Sequence, residues 1–341
     1  MKRILVWIFV IVFIVSMSLV GIGCKAEKAE ESAAEEVAEE TAAEDVFIGF
    51  SLYDMKYGFF RLMDAGAKDY AAEKGWEYVT HDEKSDETTM VTGCEDLINQ
   101  GIDALLVSPF KPEALGPVVE AAHAKGIPVI IDDIGTGDYD YDAFIISDNV
   151  GGGEIAGEYV IGLMEEAGTD AAPVEVALIR NDPSNVAGHS RGFGFVDVCE
   201  AAGYTVVKDV SAQEATADAA YPIATDILTA NPDLVAIFCT NDNMATGTAQ
   251  AAIDSGRDDL IVIGFDGSEI ALEAIEAGTM VATVMQFPYN MGVTAAELAD
   301  DFINGVTPKF DDSETKTIYV PVDIIDINNI DIAWAEVEKG K

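Results

Sequence analysis

Histidine and cysteine are scarce in this chain of 341 residues, which has three of the first and four of the second. His81, His123 and His189 stand far apart and no C-x-x-C pair occurs, so the sequence offers no zinc site. Cys24, Cys94, Cys199 and Cys239 lack paired spacing, which argues against a disulfide framework. Cys94 and Cys199 fall in helical patterns and Cys239 in an apolar run, so small apolar filler is their expected role. Basic residues are also few: 19 Lys and Arg stand against 62 Asp and Glu, a net charge of −43. Such a polyanion repels nucleic acid and anionic membrane surfaces, and it reads as a surface suited to high salt. What is abundant is apolar: 49% of the residues are hydrophobic, enough to build real cores, and the length accommodates about two domains.

The two ends of the first segment differ sharply from the rest. Lys2 and Arg3 precede an uncharged run from Ile4 to Val20, then Gly21-Ile22-Gly23-Cys24. A positive start followed by an apolar stretch is an export signal. Gly23 before Cys24 resembles a bacterial lipoprotein cleavage site, with Cys24 as the lipidated residue; Gly21 stands where leucine is usual. An uncleaved anchor is the alternative, because the run almost spans a bilayer. Lys25 to Asp45 is nearly all Ala, Glu and Lys, cannot bury enough surface to fold, and is expected to be a disordered acidic tether.

From Val46 onward, short apolar strands alternate with helical patterns. Strands are expected at Phe47–Phe50, Trp76–Thr80, Ala104–Ser108, Ile127–Ile131 and Phe144–Ile146, with helices at about 59–74, 87–100 and 112–125 between them. The rhythm then repeats: a helix over 151–166, a strand over 174–179, a helix over 192–202, and so on to the strand Leu260–Phe265, the helix 289–304 and a last extended segment, Tyr319–Ile325. Successive βαβ crossovers predict parallel sheets. The expected fold class is α/β, with two doubly wound parallel-sheet lobes of Rossmann-like plan facing one cleft, and clefts between domains are preferred ligand sites.

Polar residues stand at several strand ends. Val262-Ile263-Gly264-Phe265-Asp266-Gly267 is a buried-strand pattern that ends on a carboxylate, and ligands of open α/β sheets lie beyond such ends. Asp133, Asn241 and Gln286 end other strands in the same way. Carboxylates accept and amides both donate and accept, which suits adjacent hydroxyls. Tyr53, Tyr57, Phe59 and Phe60, in the first loop and helix start, supply flat apolar surface for ring C–H faces. The competing reading of each polar residue is a helix cap or turn; for Asp266 it is a cap on the helix Ser268–Ala277.

Gly58-Phe59-Phe60 with Gly66, Ile127-Pro128-Val129-Ile130, Ser147-Asp148-Asn149-Val150-Gly151-Gly152, Arg191-Gly192-Phe193, Thr240-Asn241-Asp242-Asn243-Met244-Ala245, Gly264-Phe265-Asp266-Gly267 and Gln286 are spread over both halves. On these stretches the chain from Val46 to about Ile325 resembles the periplasmic sugar-binding proteins of ABC transporters, in the ribose-binding branch of the type I fold. The resemblance implies that Phe59 and Phe60 pack on a sugar ring and that Asp133, Asn241, Asp266 and Gln286 bond its hydroxyls. It implies a hinge of three segments, near Ser147, near Gln286 and near the C-terminus. The implied lobes are 46–147 with 287–315 and 148–286 with 316–341, after a signal peptide at 1–24 and a tether at 25–45. The chain departs from that branch where ribose binders carry arginines: Ile134 follows Asp133, and His189 stands at the second position. The C-terminal-lobe aromatic of the branch falls near Ala215, and the first loop is about two residues longer. Lost guanidinium forks are not replaced by neutral groups. The resemblance therefore implies a monosaccharide or small polyol without singling out ribose, with Tyr53, Asp54, Tyr57, Arg180 or His189 as candidates to rebuild specificity. It implies no cofactor or metal, an ABC permease as partner and a monomeric receptor tethered outside the cytoplasm.

Other readings carry less. Gly151-Gly152-Gly153 with Gly157 does not match G-x-G-x-x-G, and close backbone packing explains it better than phosphate binding. Asp138 to Asp142 starts like a calcium loop, but Ala143 and Asn149 stand where its glycine and glutamate belong. His189 and Arg191 beside acidic residues raise acid–base catalysis, and Asp133 with Asp266 raises a glycosidase pair; no nucleophile–base arrangement can be traced, so no enzyme is expected. A ligand-presenting receptor for chemotaxis or a histidine kinase would use the same cleft. The repressors that share this fold carry a helix-turn-helix, and an export signal stands in its place.

Overall fold

The computed structural model describes residues 46–169 and 173–341. The export signal, Cys24 and the acidic tether lie outside the described residues.

The chain begins with β1 (Phe47–Leu52), α1 (Gly58–Lys74), β2 (Glu77–Asp82), α2 (Glu87–Gln100), β3 (Ala104–Ser108), α3 (Gly116–His123), β4 (Val129–Asp132) and β5 (Ala143–Ser147). It continues with α4 (Asn149–Glu166), β6 (Glu175–Arg180), α5 (Val186–Ala201), β7 (Thr205–Ser211), α6 (Ala217–Ala230), β8 (Leu234–Cys239), α7 (Asp242–Asp254), β9 (Ile261–Asp266), α8 (Glu269–Glu276) and β10 (Ala282–Met285). It ends with α9 (Pro288–Ile303), β11 (Thr317–Val320), β12 (Asp323–Asp326) and α10 (Ile330–Glu338). Two six-stranded sheets result, in the orders β11-β5-β4-β3-β1-β2 and β12-β10-β9-β8-β6-β7. They correspond strand for strand, and every pairing between strands is parallel except β10 with β12. This is the two-lobe doubly wound fold that the alternating pattern predicts.

Both faces of each sheet are covered, which is why strands such as Ala104–Ser108 read as unbroken apolar runs. In the first sheet Leu106 and Ile130 face the core under α1 and α9, while Leu105, Val107, Val129 and Ile131 face the one under α2 and α3. In the second, Leu178, Phe238 and Phe265 point to α4 and α5, and Ile179, Ile237 and Val262 to α6, α7 and α8. Cys94, Cys199 and Cys239 are free, buried in these cores, and burial pushes all three thiols up to about 12. Helices α4 and α5 touch backbone to backbone: a methyl group on Gly153 would strike the Arg191 carbonyl, and one on Gly194 the Val150 carbonyl.

Three boundaries differ from expectation. Helix α5 starts at Val186, six residues before Gly192, because the Asn185 side chain caps it by accepting from the Gly188 amide. The helix expected over 112–125 is a 3-10 turn at Pro112–Ala114 followed by α3, since Pro117 has no amide to continue a single ladder. The extended segment expected over Tyr319–Ile325 is two strands in different sheets: β11 pairs β5 and β12 pairs β10. Pro321, which cannot donate to a ladder, sits at the break. Residues 316–320 therefore go with the first lobe, and the last crossing lies at 321–322 rather than at 315–316. The other two crossings run from β5 into α4 and from β10 into α9, at Ser147–Asn149 and Gln286–Phe287.

Candidate functional site

The carboxyl ends of the parallel strands of both lobes open on one cavity of about 1730 Å³. The first lobe lines it with aromatic rings. Tyr53, just past β1, stacks on Phe60 with centroids 5.1 Å apart. Phe110, just past β3, meets Tyr53 edge-on at 5.2 Å, and Phe59 and Tyr57 meet Phe60 edge-on at 5.4 and 6.4 Å. The loop that carries Tyr53 and Tyr57 is tied down from below. The Met55 amide donates to Asp82 Oδ1 (3.1 Å), Ser85 Oγ to Asp54 Oδ2 (2.6 Å), and Arg61 Nη1 to the Met55 and Lys56 carbonyls (3.0 and 2.9 Å). Asp54 is held down to about 2 by Lys56 and Ser85 and does not line the cavity.

Phe110 is a wall residue that sequence reasoning missed; its position two residues after a strand end was the available signal. Its amide donates to Glu83 Oε2 (2.6 Å), while Ser51 Oγ donates to Glu83 Oε1 (2.7 Å). Burial pushes the Glu83 carboxyl up to about 7.

The second lobe lines the cavity with amides, carboxylates and a guanidinium. Asn181, just past β6, is buried; its amide N–H donates to Thr240 Oγ1, and its Oδ1 accepts from that hydroxyl, both at 2.8 Å. Asn241 caps α7, its Oδ1 accepting from the Met244 amide (2.8 Å), so its cap reading holds while the residue also borders the cavity. Arg191 is buried: Nε donates to Asn149 Oδ1, and Nη1 donates to the Thr240 carbonyl and to Asp266 Oδ1, all at 2.8 Å. Its guanidinium carbon lies 3.8 Å from the Phe265 ring centroid. Gln286 Nε2 also donates to Asp266 Oδ1, at 2.8 Å. The sequence offers Arg191 as part of a family-like stretch and as a candidate catalyst weighed and set aside; the structure makes it the polar hub of this wall.

Asp266 does not cap α8, whose N-cap residue is Ser268 and makes no side-chain capping hydrogen bond. Asp242 Oδ2 holds that residue by accepting from the Ser268 amide and hydroxyl (2.7 and 2.8 Å), and its Oδ1 accepts from Thr283 Oγ1 (2.6 Å). Asp266 is thereby left to the cavity, its side chain 33% exposed. Its φ is 125°, and Asp133, at the end of the corresponding strand β4, has φ 67°. Both lie where a side chain is strained, at a cost of order 1–3 kcal/mol each. Burial pushes Asp133 up to about 7, against the pull of Arg191 and with help from Asp266. Burial raises Asp266 too, opposed by Arg191 and Gln286. Asp242 is pushed up to about 7, by burial first and by Asp266 second.

The cavity thus gathers Tyr53, Tyr57, Phe59, Phe60, Asp133, Asn241, Asp266 and Gln286. It does not gather His189 or Arg180. The His189 ring contacts the Asn181 carbonyl (3.2 Å) and Phe193 in an edge arrangement (5.5 Å). Arg180 forms a two-pronged pair with Asp209 (2.7 Å for each contact) and donates to the His189 carbonyl (3.0 Å). Neither is among the described residues that line the cavity.

Residues 48–307 match the family model described as a periplasmic binding protein domain. The chain is 33% identical over 258 residues to the ribose import binding protein of Bacillus subtilis (strain 168), covering 76% of this chain and 82% of that one. It is similar to the crystal structure of a periplasmic ribose ABC transporter from Conexibacter woesei, with TM-score 0.75 and 27% identity over 85% of this chain and 97% of the other. It is also similar to a periplasmic solute-binding protein of Actinobacillus succinogenes with bound D-allose, with TM-score 0.69 and 25% identity over 84% and 99% of the two chains.

Proposed function

The chain belongs to the periplasmic binding protein family, and from that premise we propose that it captures a monosaccharide or small polyol in the cavity between its lobes and delivers it to an ABC permease. The observation that carries this is the pairing of Asp133 and Asp266, two backbone-strained carboxylates at corresponding strand ends, across a cavity walled by aromatic rings on one side. Carboxylates and the amides of Asn181, Asn241 and Gln286 match a row of hydroxyls. The rings of Tyr53, Phe59, Phe60 and Phe110 match C–H faces. His189 and Arg180, which do not line the cavity, have no part in this reading of the site.

Ligand bridging the lobes favours the closed form by the contacts it adds there, and the crossings at Ser147–Asn149, Gln286–Phe287 and 321–322 absorb the motion. The closed receptor docks on the permease as a monomer. Export through the N-terminal signal and a lipid on Cys24 would tether it at the membrane, with the acidic segment as spacer.

A thermal-shift screen over pentoses, hexoses, polyols and nucleosides tests the reading. At least one sugar or polyol should raise the melting temperature, and Asp266→Ala and Asn241→Ala should abolish the rise. A hit that survives both substitutions would put the site elsewhere.

A further inference from the structure

The lobes differ in what their matching strand ends present. Tyr53 and Phe110 follow β1 and β3, where Asn181 and Asn241 follow β6 and β8. Beside Phe110, past β4, stands Asp133. Just past β4, β3 and β1 the first lobe therefore places Asp133, Phe110 and Tyr53, a carboxylate beside aromatic rings.

Asp133 takes neither a side-chain hydrogen bond nor an ion pair from the described residues, although it lines the cavity. Among the described lining residues seven are Asp or Glu and three are Lys or Arg. None of the three is free to neutralise Asp133. Arg61 is occupied by the Met55 and Lys56 carbonyls. Lys341 pairs with Glu338 at 2.7 Å. Arg191, which does face Asp133, is fixed by Asn149, Thr240 and Asp266 and by its stacking on Phe265. Asp133 and Asp266 thus share one immobile guanidinium. Closing the cleft removes water from both and makes their ionised forms costlier, so a bound cation is what would keep Asp133 ionised there.

We propose that the ligand is a polyol bearing one cationic amine, with the ammonium held by the Asp133 carboxylate against the aromatic wall of the first lobe. An ammonium supplies the missing charge and three donors, and an aromatic wall attracts a cation wherever it presents a ring face. The remaining hydroxyls fall to Asp266, Asn241 and Gln286. This rests on the polyol reading of the same cavity.

Calorimetric titration of the full chain with matched pairs tests it: glucosamine with glucose, galactosamine with galactose, 1-amino-1-deoxysorbitol with sorbitol, and an inosamine with myo-inositol. In at least one pair the amine should bind tenfold or more tighter than its hydroxyl parent. In Asp133→Asn, which keeps the shape and removes the charge, that ratio should fall to near one; Asp133→Glu should restore part of it. Parents that bind as tightly as their amines overturn the amine assignment and leave the polyol reading standing. An amine preference that persists in Asp133→Asn overturns the role of Asp133. Failure of both members of every pair overturns the polyol reading as well.

Discussion

Arg191 Nη1 lies 2.8 Å from Asp266 Oδ1, and Nε of the same guanidinium lies 2.8 Å from Asn149 Oδ1. Asp266 Oδ1 also accepts from Gln286 Nε2. Asn149 and Gln286 sit on two of the three crossings between lobes, so one chain of hydrogen bonds joins both crossings through a cavity carboxylate. In the proposed reading, a ligand that draws on Asp266 is coupled through these bonds to the crossings between lobes.

Breaking that chain at its hub should be costly. Arg191→Met leaves Asp266 without its charge partner and Asn149 without its donor. The expected loss is about 2–3 kcal/mol of unfolding free energy, read from urea denaturation. Arg191→Lys should recover only part of it, because one ammonium cannot serve three acceptors in a plane. Wild-type stability in Arg191→Met would show that the pair contributes nothing net.

The close contact of α4 and α5 sets where Arg191 stands. Gly153→Ala drives a methyl group into the Arg191 carbonyl and forces the helices apart. Overpacking of this kind costs about 1–3 kcal/mol, so melting should fall by several degrees in calorimetry, and ligand affinity should fall with it. A full-affinity Gly153→Ala protein would mean the helices separate without moving the site.

Phe110 offers a test of the aromatic wall. Phe110→Ala removes the ring that props Tyr53, and ligand should bind about 3- to 10-fold more weakly by calorimetric titration. Unchanged affinity would place the ligand away from this end of the wall.

Asp132 governs a pH dependence. Its two carboxylate oxygens are buried without a hydrogen-bond partner, and burial raises its proton affinity well above the usual carboxylate range. The folded state thus binds this proton more tightly than the unfolded state. Its contribution is complete below the unfolded value of about 4 and is lost as pH rises toward the folded one, with a slope of up to about 1.4 kcal/mol per pH unit. Asp132→Asn removes the titration. Relative to wild type, it should gain stability steadily from pH 4 upward in urea melts at fixed ionic strength. A constant difference between the two proteins across that range would refute this.

The alternation of buried strands and helices, and the strand ends that carry Asp133, Asn241, Asp266 and Gln286, were legible in the chain because each depends on neighbours a few residues away. Strands covered on both faces read as apolar runs, and a polar residue at the end of one must leave the sheet. The family resemblance extended this to Phe59 and Phe60. Phe110 was not legible, because nothing local separates a wall aromatic from a core one. The sheet change at Pro321 was hidden inside a stretch that is extended throughout.

What the sequence by itself determined is the α/β plan, the acidic surface and the polar set placed at strand ends. Only the tertiary structure decided which of these groups are spent on the scaffold and which face the cavity. It tied Ser268 at the start of α8 to Asp242 and left Asp266 to the cavity, kept His189 and Arg180 out of the cavity lining, and made Arg191 a fixed hub. The reason is physical: a hydrogen bond between residues 42 or 75 positions apart, as Arg191 makes with Asn149 and Asp266, is set by how helices and sheets pack. No local pattern encodes which of several donors arrives there.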